Sequence, residues 1–156
     1  MYRKTKVKSF IFLQSSIIHL QYFYHFLCNL IMLKVRFIFK IIPVPIIITD
    51  NLPENFAGLS HGLFIKIRPK YQNDKGLIQH ELTHCKQFWK YGWVGYSLLY
   101  KFSSKWRLKF EAEAYGVQLF YYTDKSVIDI LAKRLETLYS LNITHEEAIK
   151  AIQKRG

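Results

Sequence analysis

The chain has 156 residues, enough for one compact domain and too few for two of ordinary size. Half of the residues are hydrophobic and 22% are charged, a composition that excludes an intrinsically disordered chain. The net charge of +12 favours polyanionic surroundings, but no nucleic-acid-binding motif accompanies it, so we predict a basic surface without a specific nucleic-acid partner. Two cysteines, Cys28 and Cys85, exclude a disulfide framework and lack the close spacing of a cysteine zinc site.

Residues 1–33 combine a basic start with an uncharged run. Ser9 to Leu33 extends for 25 residues without a charge, a length that suits a membrane helix. Interspersed Gln, Ser, His and Asn residues make the run only moderately apolar and also suit an amphipathic or self-associating helix. A third interpretation is that Met32 is the true start. Membrane association is therefore expected if residues 9–33 form a helix in the bilayer, and a cytoplasmic location otherwise.

The sequence of residues 34–156 predicts one α+β domain, because patterns typical of strands come first and patterns typical of helices follow. Val35 to Ile42 and Ile46 to Thr49 are rich in β-branched and aromatic residues, and prolines lie between them. A third strand is expected at Gly62 to Arg68. Four helices follow: Lys75 to Tyr91, Trp106 to Tyr122, Ser126 to Ser140, and a last one from about Thr144.

Two further patterns lie in the helical part of the chain. Thr144 and Glu147 form the sequence of a capping box, which predicts the start of the last helix. Trp89, Trp93, Tyr96 and Tyr100 lie near helical spacing. We interpret these aromatic residues first as packing residues and second as a membrane-interface belt.

The stretch from His80 to His84 reads His-Glu-Leu-Thr-His, which is the HExxH pattern. Residues four apart lie on one helix face, so His80 and His84 can direct imidazole nitrogens at one Zn²⁺ ion at about 2.0–2.1 Å. Glu81 lies one step round the helix, beside the ion rather than on it. A carboxylate there can take a proton from the zinc-bound water and return it to the leaving amine.

The opposite face of the same predicted helix carries Ile78, Leu82, Cys85 and Trp89 at the spacing of a buried stripe. This pattern predicts that Cys85 faces the core and is not a ligand. Gln87 lies near the angular position of His80, where it is either a hydrogen-bond partner behind a ligand or a surface glutamine.

A catalytic zinc ion needs a third protein ligand. Phe110 to Tyr115 reads Phe-Glu-Ala-Glu-Ala-Tyr on a predicted helix, and the small Ala114 lets that helix approach closely. We expect Glu111 to be the ligand and Glu113, about 200° further round the helix, to have a surface or supporting role. The alternative is that both carboxylates pair with nearby Lys and Arg side chains on a solvated face.

HExxH followed by a helix with Glu-x-x-Ala resembles the gluzincin branch of the zincin metallopeptidases, and these two segments are similar to its short bacterial and phage members. The resemblance covers about Val35 to the C-terminus. It implies a zincin-like fold, in which a small twisted sheet packs on the HExxH helix and further helices follow. It also implies His80, His84 and Glu111 as ligands of one Zn²⁺ and Glu81 as the catalytic base.

The resemblance has further implications for the cleft. The strand at Gly62 to Arg68 would form the sheet edge that lines it, where a peptide can add as an extended strand, and Lys66 and Arg68 would favour acidic substrates. One departure is Tyr115, which stands where many gluzincins place an Asp or Asn that supports a zinc histidine. This departure weakens the choice of Glu111 over Glu113.

Four side chains are chemically able to stabilise the oxyanion of a tetrahedral intermediate, and the sequence does not choose among them. They are His61, Tyr91, Tyr96 and Tyr115. The function predicted is a zinc-dependent metallopeptidase that hydrolyses a peptide or protein substrate through a zinc-activated water. The alternatives are a non-catalytic zinc-binding structural or interaction module of a phage or membrane assembly, and a protein that binds membranes or nucleic acid through its charge.

Overall fold

The structure is a computed structural model that describes residues 34–124 and 126–154. The predicted membrane association through residues 9–33 lies outside these residues. Within the described ranges, no helix combines the length and the apolar character that crossing a bilayer requires.

Four short strands form one mixed sheet in the order β1-β2-β4-β3. They are β1 (Lys34–Ile38), β2 (Ile42–Ile48), β3 (Gly58–Ser60) and β4 (Ile65–Ile67). β1 and β2 form an antiparallel hairpin, whereas β4 runs parallel to β2 and antiparallel to β3. The predicted strand from Val35 to Ile42 is interrupted by a turn, in which Phe39 and Lys40 have φ angles of 50° and 66°.

The predicted edge strand at Gly62 to Arg68 is wrong in two respects. Its regular part is β4, which lies between β2 and β3, so that the edge strands are β1 and β3. Arg68 does not face a cleft, because its guanidinium donates to the main-chain carbonyls of Asp50, Leu52, Pro53 and Phe56. These bonds hold the loop that leads into β3.

Five helices follow the sheet in the described part of the chain. They are α1 (Lys75–Tyr91), α2 (Trp93–Phe102), α3 (Ser104–Phe120), α4 (Val127–Leu138) and α5 (His145–Gln153). The Asp74 side chain caps α1 by accepting the N–H of Leu77, and the predicted capping box of Thr144 and Glu147 starts α5. The predicted α+β class is therefore confirmed.

Helix α2 was not predicted as a separate element. Gly92, with φ at 71°, ends α1, and the Ser103 side chain caps α3. Between these two residues, α2 lacks the alternation of apolar and polar faces that marks a surface helix, because its outward side is also apolar.

Two apolar clusters lie on either side of α1 and α3, which pack against each other. The first joins the sheet to α1 and includes Val44, Ile67 and Cys85, so Cys85 faces the core as predicted. The second joins α3 to α4 and α5. Trp89 is exposed, contrary to the predicted buried stripe, because the short strands β3 and β4 do not extend along the whole of α1.

Candidate metal centre

Two adjacent helices bring three buried side chains together. α1 supplies His80 and His84 at a spacing of one turn, and α3 supplies Glu111. Each residue is at most 7% exposed. The Nε2 atoms of the two histidines are 3.1 Å apart, and Glu111 Oε2 lies 3.7 Å from His80 Nε2 and 3.5 Å from His84 Nε2. The three residues form a group that could hold a metal ion.

The spacing of these donor atoms suits a small metal ion. Ligands at about 2.0–2.1 Å from a tetrahedral ion lie about 3.3–3.4 Å from one another, close to the observed separations. Glu111 Oε2 is buried and has no hydrogen-bond partner. A buried carboxylate oxygen without a partner is costly, and a cation shared with the two imidazoles would remove that cost.

Gln87 orients His84 for this arrangement. The Gln87 amide nitrogen donates to Phe110 O at 3.0 Å and to Glu113 Oε2 at 3.1 Å, which fixes the amide oxygen on the other side. That oxygen lies 2.9 Å from His84 Nδ1 and accepts its proton, so in the neutral imidazole Nε2 has the lone pair that a metal ligand needs. Gln87 therefore supports His84 rather than His80, and Glu113 lies behind the cluster in a supporting position.

His80 is held by different groups. The Tyr115 ring packs against it edge-on, with the ring centroids 4.5 Å apart. Burial, followed by the charge of His84, lowers the pKa of His80 to about 3, and Gln118 is among the groups that oppose this shift. His80 Nδ1 and Gln118 Oε1 are both buried without a hydrogen-bond partner. Tyr115 thus packs where an Asp or Asn was expected, and Gln118 from the next turn of α3 offers the acceptor.

Helix α2 contributes two tyrosines to the same site. Tyr100 donates its hydroxyl to Glu111 Oε1 at 2.6 Å, and the Tyr96 hydroxyl lies 3.4 Å from His84 Nδ1. Burial first and the Glu111 charge second raise the pKa of both phenols, so they stay protonated. Tyr100 was interpreted first as a packing residue and second as part of a membrane-interface belt, although its spacing of one turn from Tyr96 indicated a shared helix face.

The electrostatics of the group favour one positive charge beside Glu111. Burial alone would lower the pKa of His84, but the charge of the Glu111 carboxylate 3.5 Å away raises it to about 9. Burial would likewise raise the pKa of Glu111, yet the charge of His84 lowers it. Without a metal, Glu111 is therefore a carboxylate paired with the His84 imidazolium, and a metal ion that binds at this group must displace the proton of His84 Nε2.

Glu81 lies in the same cavity, which has a volume of about 200 Å³. Its carboxyl group approaches β3 so closely that a Cβ atom on Gly58 would lie 2.8 Å from Glu81 Oε1. Burial raises the pKa of Glu81 to about 7, with Glu111 acting in the same direction and His84 and the Ser60 backbone opposing it. The structure therefore places an ionisable carboxyl beside the three donors, as the HExxH pattern predicted.

The four residues predicted as able to stabilise an oxyanion lie in different places in the structure. Tyr96 lines the cavity, whereas Tyr115 packs behind His80. His61 is exposed and stacks on Phe64. Tyr91 packs against aromatic rings of α3 and does not line the cavity.

Comparisons with known proteins give no match to this chain among protein-family models, curated proteins or solved structures. The case for a metal therefore rests on the residues themselves. Two buried imidazoles and one buried carboxylate form a group that could hold a metal ion, and a second buried carboxyl group lies beside it.

Proposed function

We propose that this protein is a zinc-dependent metallopeptidase in which His80, His84 and Glu111 hold one Zn²⁺ and Glu81 is the general base. The observation that carries the proposal is the placement of Glu81 in the cavity with the three donors. Two imidazoles and a carboxylate are a donor set used by catalytic zinc, which keeps a further position open for water or substrate. When bound, the ion supplies a Lewis acid that polarises a substrate carbonyl and acidifies water.

Side chains of the protein would carry out the proton transfer, the oxyanion stabilisation and the substrate binding. Glu81 accepts the proton of the attacking water and returns it to the leaving amine. Tyr96 is our candidate for the neutral donor to the developing oxyanion, because it lines the cavity and its phenol stays protonated. Leu59 and Ser60 also line this cavity, so the edge strand β3 is where an extended peptide can add beside Glu81.

A non-catalytic zinc module is the less favoured alternative. A structural zinc site is normally closed by four protein ligands, whereas three donors converge in the group found within residues 34–124 and 126–154. A structural site also has no use for Glu81, whose burial disfavours its charged form. An ionisable carboxyl group beside three protein ligands rather than four is expected of a catalytic zinc site.

The test combines metal content with peptide cleavage in the full chain. We expect about one zinc per chain in the wild type, Glu81→Gln and Glu113→Gln, and little in His80→Ala and Glu111→Gln. In a peptide-library screen, Glu81→Gln should lower cleavage by about 10²–10⁴-fold, because it removes the general base and leaves the ligands intact. Mass spectrometry of the metal and of the peptide products measures both quantities.

Glu113→Gln is the matched control for Glu111→Gln, since both change one carboxylate of the same helix. A folded wild type without zinc would refute the metal site. Cleavage that survives Glu81→Gln would refute the assigned base. Zinc without cleavage of any library peptide would favour the structural module.

A further inference from the structure

The outward side of α2 is an apolar surface. Trp93, Val94, Leu98 and Phe102 are each between 52% and 73% exposed, and no residue of this helix is fully buried. Val94, Leu98 and Phe102 follow one another at spacings of four residues and share the helix side opposite Tyr96 and Tyr100, and Trp93 is exposed at the first residue of the helix. Exposed apolar side chains grouped in this way usually mark an interaction site. We call Val94, Leu98 and Phe102, with Trp93 at their N-terminal border, the outer face of α2.

Exposed lysines lie on α2 and next to both of its ends in the sequence. Lys90 precedes α2, Lys101 lies on it and Lys105 follows it, and all three are exposed. The Lys101 ammonium lies 5.5 Å from the centroid of the Phe102 ring. The sequence from Leu82 to Phe110 contains six Lys and Arg residues and no Asp or Glu. The charged side chains of residues 82–110 are therefore all basic.

The inner side of α2 prevents this face from turning into the core. Tyr96 and Tyr100 contact His84 and Glu111 from that side, and Tyr96 also packs against Phe110. These contacts fix the rotation of the helix about its axis. The outer face therefore stays exposed while the metal site is intact.

We propose that the outer face of α2, together with Lys90, Lys101 and Lys105, docks onto an anionic lipid surface. Trp and Phe side chains suit the depth of the membrane interface, and lysines reach anionic headgroups with their ammonium groups while their stems cover apolar surface. A helix of ten residues is too short to cross a bilayer and lies in the plane of its surface.

Other occupants fit the face less well. A second copy of the chain would place lysines against lysines around the contact, with no carboxylate from residues 82–110 to pair with them. A nucleic acid would pair with the lysines but would leave Val94 and Leu98 against phosphate and sugar. Anionic lipid complements both the charge and the apolar side chains.

The decisive measurement uses Trp93 as a probe in the full chain. The protein has three tryptophans, so Trp89→Phe with Trp106→Phe leaves Trp93 as the sole one. We expect vesicles of phosphatidylcholine with about a third phosphatidylglycerol to shift its emission to the blue, and brominated acyl chains to quench it. Because quenching reports where Trp93 lies, the result does not depend on how residues 1–33 behave.

The control moves the probe away from α2. Replacing all three tryptophans by phenylalanine and adding Phe120→Trp places the probe at the end of α3, at a position that is 78% exposed in the native chain. This probe should not be quenched. Equal quenching of the two probes, or none of Trp93, would overturn the proposal. A doubled mass in light scattering with Trp93 shielded in the absence of vesicles would overturn it too, in favour of a dimer.

A charge series tests the role of the lysines with the Trp93 probe. Lys90→Glu, Lys101→Glu and Lys105→Glu together should raise the lipid concentration for half-maximal quenching at least about tenfold. The matched control changes Lys70, Lys75 and Lys154 to Glu, since these are also exposed and alter the net charge equally. Quenching that is the same in both variants, or in vesicles without phosphatidylglycerol, would contradict electrostatic docking.

Discussion

The hydroxyl of Tyr100 determines which oxygen of Glu111 faces the two histidines. Tyr100 occupies Oε1 at 2.6 Å, and Oε2 is left 3.5 Å and 3.7 Å from the histidine nitrogens. A ligand whose other oxygen is held by a hydrogen bond loses less freedom when it binds a metal. Tyr100 is thus a positioning residue, and it comes from a helix that the sequence pattern did not predict.

Replacing Tyr100 by Phe should weaken zinc binding by about 10–100-fold, because Glu111 loses the bond that orients it. Competition with a chromophoric chelator measures the affinity. Tyr91→Phe is the matched control, since that ring packs against α3 without lining the cavity, and it should leave the affinity unchanged. Equal affinities of the two variants would show that Tyr100 only packs.

At the scale of elements, the contact between β3 and α1 brings the sheet edge to the site. Gly58 permits this contact, because a Cβ atom there would lie 2.8 Å from Glu81 Oε1 and 2.9 Å from Ile67 Cδ1. Both of these atoms end flexible side chains. An added methyl group can therefore be accommodated by moving Glu81, which changes the site more than the fold.

Gly58→Ala should lower peptide cleavage by about 10²-fold, because a shift of about 1 Å misplaces the base. Zinc content should stay the same, and the free energy of unfolding should fall by about 1–3 kcal/mol. Gly95→Ala is the control, since its Cβ would come no nearer than 3.9 Å to the neighbouring atoms and should raise helix stability slightly. Full cleavage by Gly58→Ala would mean that Glu81 is not confined by β3.

At the scale of the whole domain, the group of His80, His84 and Glu111 lies between the two helices that belong to different apolar clusters. α1 belongs to the cluster with the sheet, and α3 belongs to the cluster with α4 and α5. A metal held by His80 and His84 of α1 and Glu111 of α3 would join the two clusters. Binding to the folded state alone would then contribute directly to the stability of the domain.

Removing the metal should consequently lower the melting temperature. At free zinc about 100 times the dissociation constant, binding contributes about 2.7 kcal/mol, which corresponds to about 5–15 °C for a domain of this size. Calorimetry with and without a chelator measures the difference. Glu111→Gln should melt at the same temperature under both conditions, and an equal chelator effect on this variant would place the metal elsewhere.

Much of the site was predictable because its signals are local. The spacing of His80 and His84, the place of Glu81 beside them and the capping box of α5 all depend on residues within one or two helical turns. The order of strand and helix patterns likewise predicted the α+β class. The choice of Glu111 over Glu113 followed from helix geometry, and in the structure Glu111 is the one that meets the histidines.

The partners of these residues depend on contacts between distant segments, which no local pattern encodes. The sheet order placed β3 rather than β4 at the edge, because strand pairing is decided by packing across the whole sheet. Gly58 and Tyr100 acquire their roles only when β3 and α2 pack around α1 and α3. The sequence by itself determined which residues we propose as ligands and base, and the tertiary structure decided which side chains pack around them and orient them.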